Sequence, residues 1–347
     1  MMERTNLKEL SARGVEDFLS TRGLPRYRSR QLLHWLYEKR AASLREITEF
    51  SRDLRASLEN VAYVSGLVLL ARQRSEDGTE KFLFGLEDGL SVESVLIPDG
   101  ERLTLCVSSQ VGCAMGCLFC RTGREGLLRN LKAHEMVDQV FAAEKAVEPL
   151  RVTNLVFMGM GEPLHNPGEV AEAVRRLTGL AGFSRKRITV STAGYVPGMR
   201  ALSEAGPHVR LAVSLNAATD AVRDDLMPIN RRYPLPVLLE ELRNYPLPKR
   251  EHITIEYVLI EGKNDAPEDA RRLPGLLRGI PSKINLIPLN EHDGTGLRRP
   301  SDSRVMAFQQ ALIRAGLRAL VRKSKGTDIL AACGQLRSRM REGAPSP

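Results

Sequence analysis

The chain has 347 residues, with 51 Lys and Arg against 42 Asp and Glu, a net charge of +9 that permits a polyanionic partner. Its 42% hydrophobic content is enough for a large core, yet no apolar run approaches the ~20 residues that span a bilayer. The opening MMERTNLKEL has no apolar stretch behind its charges, so neither a membrane span nor a secretory leader is expected, and the expected location is the cytoplasm.

Residues 1 to about 60 read as helical: LKELSARGVEDFLSTRG, YRSRQLLHWLYEKR and SLREITEFSRDLRASLENV carry apolar residues at three- and four-residue spacing. From Val64 to Pro98 short apolar runs alternate with turn signals at Asp77-Gly78, Asp88-Gly89 and Asp99-Gly100, which predicts hairpins. Residues 1–98 are therefore expected to form a small helical plus β-hairpin domain. From Leu103 strands and helices alternate. LTLCVSSQV, NLVFMGM, RITVST, VRLAVSL, HITIEYVLI and SKINLIPL read as strands, with helical stretches between them and after the last. LRALVRK closes the series. Such alternation predicts an α/β fold with a parallel sheet, a partial or closed barrel over residues 99–335, followed by a frayed tail over 336–347. In parallel barrels the chemistry gathers at the C-terminal strand ends.

Four of the five cysteines fall between Cys106 and Cys120, and the fifth is Cys333. An odd count in a chain with no export signal argues for metal or redox chemistry rather than a disulfide framework. Cys113, Cys117 and Cys120 have C-x3-C-x2-C spacing on a loop with two glycines. Three such thiolates can face one point. Zinc would want a fourth ligand, and Cys106 sits seven residues away in a strand candidate. An iron–sulfur cubane held by three thiolates would keep one iron open to a substrate.

CAMGCLFC after a first strand resembles the cluster motif of the radical S-adenosylmethionine (SAM) enzymes. The wider block TLCVSSQVGCAMGCLFC, with GLLRNL, VFMGMGEPL, VSTAGYVP, VSLNAATDAVRDDLMPIN, TIEYVLI, KINLIPLN and AACGQL, is similar to the adenine-methylating RNA enzymes of the RlmN/Cfr family. The likeness runs from about residue 5 to 338 and is weaker in the N-terminal helices. It implies a partial (β/α)6 radical SAM barrel. It also implies a [4Fe-4S] cluster on Cys113, Cys117 and Cys120, and SAM used twice per turnover. SAM contacts are implied at Gly161, Glu162, Ser191, Ser214, Leu215, Asn216 and Asn290. Many relatives carry histidine where this chain has Asn216. By their own chemistry, the Gly159 and Gly161 positions allow close approach of a ligand, Glu162 can accept from an ammonium, and Phe119 can pack on an adenine or in the core.

The resemblance further implies that Cys333 carries a methyl group as S-methylcysteine. Cys106 then resolves a covalent protein–RNA intermediate by forming a disulfide with Cys333, and Glu93 accepts the proton from carbon 2 of adenine. Thiolate attack on such a sulfur is ordinary exchange chemistry. The implied substrates are 23S ribosomal RNA and transfer RNA. The implied reductant is a donor such as flavodoxin, and the chain is expected to act as a monomer. Arg22, Arg26, Arg28, Arg30, Lys39 and Arg40, interleaved with Tyr27, Trp35 and Tyr37, offer phosphate and stacking contacts, as do Arg298, Arg299, Arg322, Lys323 and Lys325 near the Cys333 loop. The competing readings are methylation of adenine carbon 8 by the same thiols, a zinc-dependent RNA-binding module, and a radical enzyme acting on a small molecule.

Overall fold

A computed structural model describes residues 4–292 and 294–336. All but the first residue of the expected tail lies outside the described residues. The N-terminal layer pairs two short parallel strands, β1 (Thr5–Asn6) and β2 (Ala62–Tyr63), around helices α1 (Ala12–Ser20), α2 (Tyr27–Tyr37) and α3 (Arg52–Glu59). Each helix has a physical start or stop. Ser11 caps α1 by accepting from the Gly14 N–H at 3.0 Å, and Ser51 caps α3 by accepting from Leu54 at 3.2 Å. Val15, Leu19, Leu32 and Leu36 form the buried stripe of this layer.

Three antiparallel strands follow: β3 (Val68–Arg74), β4 (Glu80–Gly85) and β5 (Ser91–Asp99). The β5 strand turns at Gly100, whose φ of 57° suits glycine, into β6 (Arg102–Cys106). A two-strand flap, β7 (Gln110–Gly112) and β8 (Leu127–Asn130), flanks helix α4 (Arg121–Glu125). Then come α5 (Ala133–Ala146), β9 (Asn154–Phe157), α6 (Pro167–Gly179), β10 (Ile188–Thr192), α7 (Val196–Glu204) and β11 (Arg210–Ser214). The chain continues through α8 (Asp220–Leu226), α9 (Leu235–Asn244), β12 (Ile253–Leu259), α10 (Pro267–Leu276), β13 (Ser282–Pro288), α11 (Asp302–Arg314) and β14 (Ala319–Val321).

One ten-stranded sheet has the order β14-β13-β12-β11-β10-β9-β6-β5-β4-β3. The neighbours from β6 and β9 through β14 are all parallel, with helices in every crossover, which is an open (β/α)6 arrangement followed by one extra edge strand. One face of the parallel strands is apolar, with Leu155, Phe157, Ile188, Val190, Leu211, Val213, Ile253, Ile255 and Leu286 all buried under the helices, while the alternate positions carry polar groups such as Thr189, Ser191, Ser214, Glu256 and Asn285. The antiparallel strands are joined edge to edge with the parallel ones through β5 and β6, where Val95 stands opposite Cys106. The sheet therefore runs without a break through residue 98, the boundary expected from the sequence. The segment LTLCVSSQV is also not one strand: β6 stops at Cys106, and Gln110 opens the separate flap.

Candidate active site

The three-thiol loop is pinned on both sides. Gly112 has φ 79°, and a side chain there would overlap the Gly126 carbonyl oxygen, so the flap closes only with glycine. The same carbonyl accepts from the Cys113 N–H at 2.8 Å, and the Leu118 N–H donates to Leu226 O at 3.0 Å. Cys113, Cys117 and Cys120 share an apolar surround of Met115, Phe119, Leu226, Met227, Ile260 and Leu289. They open on one cavity of about 160 Å3, which also takes in Glu162 and the C-terminal strand ends.

Burial pushes the Cys113 thiol up to about 12 and those of Cys117 and Cys120 upward as well. A free thiolate is thus disfavoured there, and coordination is the way such sulfurs lose their protons. Among the described residues no three His, Cys, Asp or Glu side chains are placed to hold a single metal ion. Three soft donors spread around a dry cavity, wider than one ion needs, fit a multi-iron cluster.

Glu162 is fully inside the same cavity. Its carboxylate accepts from the Ala193 N–H at 2.6 Å and the Leu164 N–H at 3.0 Å, and its own N–H donates to Gln110 Oε1 at 2.8 Å. Burial nevertheless raises its pKa to about 7, against the lowering effect of those donors. Gly159 and Gly161 line the cavity, but chain packing is what demands them. A Cβ at Gly159 would stand 2.7 Å from Ser108 Oγ, and one at Gly161, with φ 100°, would stand 2.6 Å from Gln110 Cβ.

Ser191, Ser214 and Asn290 lie on the cavity wall as the strand-end pattern predicts. Leu215 and Asn216 do not. Leu215 is buried in the main core. Asn216 adopts φ 57°, accepts from the Val258 N–H at 2.8 Å and donates to Met227 Sδ at 3.2 Å, so its amide serves as a corner brace. Glu256 on β12 is a cavity residue that the sequence did not single out. Its Oε1 accepts from Asn285 at 3.1 Å, and its buried Oε2 has no hydrogen-bond partner.

Cys333 lies on the wall of this cavity and also of a smaller one, of about 40 Å3, shared with Cys106, Val95 and Arg322. All five cysteines are free in this structure, Cys106 buried and Cys333 exposed. The Cys333 loop is tied to the three-thiol loop by Arg121 N–H to Gly334 O at 2.7 Å and by the Thr122 hydroxyl to Leu336 O at 2.5 Å. Asn290 Nδ2 donates to Cys333 O at 3.2 Å. Glu93 is two residues from Val95, which pairs with Cys106, so Glu93 and Cys106 share one face of the sheet. Lys81 Nζ stands 3.6 Å from the buried Glu93 carboxylate.

The basic residues divide. Arg22, Arg26, Arg30, Lys39, Arg298, Arg299 and Lys323 are exposed, as is Tyr27. Tyr37 is buried and accepts from Arg176 at 3.2 Å, Trp35 packs on the core, and Arg40 is paired with Glu144. Those three serve packing, not an exposed face. Arg322 turns inward to the two thiols.

An open parallel sheet with three thiols and a carboxylate at its C-terminal edge defines a class. Residues 107–273 match the model of the radical SAM superfamily, and residues 5–64 match that of the ribosomal RNA large subunit methyltransferase N-terminal domain. A dual-specificity RNA methyltransferase RlmN from Pelobacter propionicus is 50% identical, covering 98% of both chains. One from Geobacter sulfurreducens is 52% identical over 98% of this chain and 94% of its own. The crystal structure of a radical SAM methyltransferase from Sphaerobacter thermophilus superposes with a TM-score of 0.91 at 44% identity, covering 96% of this chain and 99% of that one. The protein is a radical SAM enzyme, with a [4Fe-4S] cluster and SAM as its cofactors. Within that class the chain belongs to the RlmN family of RNA methyltransferases.

Proposed function

We propose that this chain methylates carbon 2 of adenine in 23S ribosomal RNA and in transfer RNA, with Cys333 as methyl carrier and Cys106 as the releasing thiol. The observation that supports this most is the pair of adjoining cavities, one lined by Cys106 and the other by Cys113, Cys117 and Cys120, with Cys333 on the wall of both. The relatives, by their names, are dual-specificity RNA methyltransferases.

Carbon 2 of adenine is electron-poor and does not displace a methyl group from SAM. The enzyme must therefore hold a methyl on itself and make it reactive. Cys113, Cys117 and Cys120 would hold the cluster, and Glu162, Ser191, Ser214 and Asn290 would orient SAM beside it. When bound, the cluster and SAM supply a one-electron cleavage that yields a hydrogen-abstracting 5′-deoxyadenosyl radical. Cys333 accepts a methyl from one SAM, and that methyl loses a hydrogen after the second is cleaved. The resulting S-methylene group bonds to carbon 2, joining Cys333 to the RNA. Glu93 takes the proton from carbon 2, and the one electron that the adduct must lose would return to the cluster, which supplies one for SAM cleavage. The Cys106 thiolate then attacks the Cys333 sulfur. An S–S bond forms, the S–C bond breaks, and the base departs with its new methyl group after protonation. Two electrons must reopen the disulfide before the next turnover.

In this reading residues 1–98 are the RNA-facing accessory part, 99–335 the catalytic part, and 336–347 a tail. Tyr27 and the exposed arginines of the first two helices meet RNA, and Arg298, Arg299 and Lys323 guide it to a site that the target adenine enters unstacked. The chain acts as a monomer in the cytoplasm, with a flavodoxin-type donor. No helix among the described residues is long and apolar enough to cross a membrane.

The test is anaerobic reconstitution with SAM and RNA, followed by mass spectrometry of the nucleosides. 2-Methyladenosine is expected. 8-Methyladenosine would move the chain to the other branch of the chemistry, and an iron-free, colourless protein without product would return it to the zinc reading.

A further inference from the structure

Arg322 is the first residue past β14, the last strand of the parallel series, and Cys106 ends β6, the first. The sheet curls so that these two ends meet at the small cavity, where Arg322 stands with Cys106 and Cys333. Arg322 also lines the larger cavity beside Glu256. Its backbone is fixed, with the N–H donating to Leu286 O at 2.8 Å.

We propose that Arg322 is a positioning residue for product release: its guanidinium bridges the seam between the first and last parallel strands and favours formation of the Cys106 thiolate that attacks Cys333. The proposal rests on the carrier-and-release reading above.

The electrostatics agree with the geometry. Burial, and then the neighbouring Cys333 sulfur, push the Cys106 thiol up to about 12, and the Arg322 charge opposes both. In return the Cys333 sulfur, followed by Glu256 and Cys106, holds Arg322 as a cation despite its burial. The other basic groups near Cys106 are otherwise engaged or outward. Lys81 is paired with Glu93, which shares the Cys106 face. Lys323 is exposed and Lys325 half-buried; both line the small cavity, but Arg322 is the cation whose charge acts on Cys106. Glu256, on the wall of the larger cavity with Arg322, gives the guanidinium a counter-charge, and its Oε2 accepts no hydrogen bond. Arginine suits the task because it stays charged when desolvated and a lysine does so less reliably. The thiolate, not the thiol, is the attacking species.

The test uses the anaerobic holoenzyme with wild-type thiols and three substitutions, Arg322→Met, Arg322→Gln and Arg322→Lys. The covalent protein–RNA adduct is followed by gel shift from pH 7 to pH 9. The Met and Gln variants should accumulate the adduct at pH 7 and release it at least ten-fold more slowly than wild type, with recovery as the pH rises. The Lys variant should lie between. In a Cys333→Ala background, alkylation of Cys106 by iodoacetamide, resolved by peptide mass spectrometry, should be at least ten-fold slower at pH 8 when Arg322 is replaced by Met. Equal alkylation profiles for Arg, Gln and Met, or an adduct whose release is slow at every pH, would overturn the assignment. The Gln and Lys variants keep the test decisive if Met does not fold. Should Cys106→Ala fail to trap any adduct, the release reading itself is wrong; the alkylation comparison, which needs no RNA, judges Arg322 separately.

Discussion

The backbone N–H of Arg121, one residue past Cys120, donates to the carbonyl of Gly334, one residue past Cys333, at 2.7 Å. The three-thiol loop and the Cys333 loop are thus one hydrogen bond apart. Gly334 has φ 87°, and a Cβ there would come 3.2 Å from Phe119 O. Thr122 adds its hydroxyl to the Leu336 carbonyl. Replacing Thr122 by Val removes that bond, worth about 1 kcal/mol net. The expected result is unchanged SAM cleavage with a several-fold loss of methylated RNA per SAM cleaved, measured as the ratio of 5′-deoxyadenosine to product.

For the proposed contact with the SAM ammonium Glu162 has to be ionised, and burial raises its pKa to about 7. A cationic ligand favours the carboxylate form, so SAM affinity should rise as the pH is raised through neutrality. Glu162→Gln should flatten that dependence. It should also weaken binding by about 10- to 100-fold, the effect of about 1.5–3 kcal/mol for a hydrogen bond to a charged group. Isothermal titration with SAM from pH 6 to pH 8 checks both.

The Leu164 turn that feeds Glu162 is packed under α7. A side chain at Gly198 would overlap the Leu164 carbonyl oxygen. Gly198→Ala should therefore displace the turn, cost about 1–3 kcal/mol of stability, and weaken SAM binding without touching any cavity residue. Thermal unfolding and SAM titration of the same preparation give the two effects together.

His134 is buried beside Asn6, whose side-chain amide lies 3.4 Å from its Nε2. Burial lowers its pKa from 6.5 to about 4. The folded state thus binds fewer protons here than the unfolded state between those values. Stability from this group is complete above the unfolded value and is lost as the pH falls towards 4, by about 3 kcal/mol at most. Asp138, raised by burial to about 6, works in the opposite direction over much of the same range. The difference between wild type and His134→Gln isolates the histidine: denaturant midpoints should fall less steeply for the variant between pH 6.5 and 4.5.

Much of the site is legible in the sequence because its chemistry is local. Three thiols within eight residues and a Gly-Glu-Pro turn after an apolar strand identify themselves. The Asp99-Gly100 turn is legible for the same reason, since it needs a residue at positive φ. What was hidden depends on distant partners. Arg322 looks like a surface base beside Lys323 and Lys325, and only the curl of the sheet turns it towards Cys106. Arg40 and Tyr37 fall in a basic aromatic run, yet Glu144 and Arg176, both more than a hundred residues away, draw them inside. Asn216, read from the sequence as a ligand contact, also braces the Val258 backbone, which its sequence neighbours do not reveal. The edge pairing of β5 with β6, which fuses the hairpins to the parallel sheet, leaves no mark beyond the turn itself.

The most direct measurement is made on Cys106→Ala, reconstituted without air and given SAM labelled in its methyl group together with RNA. Mass spectrometry of the digested complex should find adenosine bonded through one labelled carbon to the Cys333 sulfur, with little free 2-methyladenosine. Full yield of free methylated base from this variant, with Cys333 unmodified, would contradict the account.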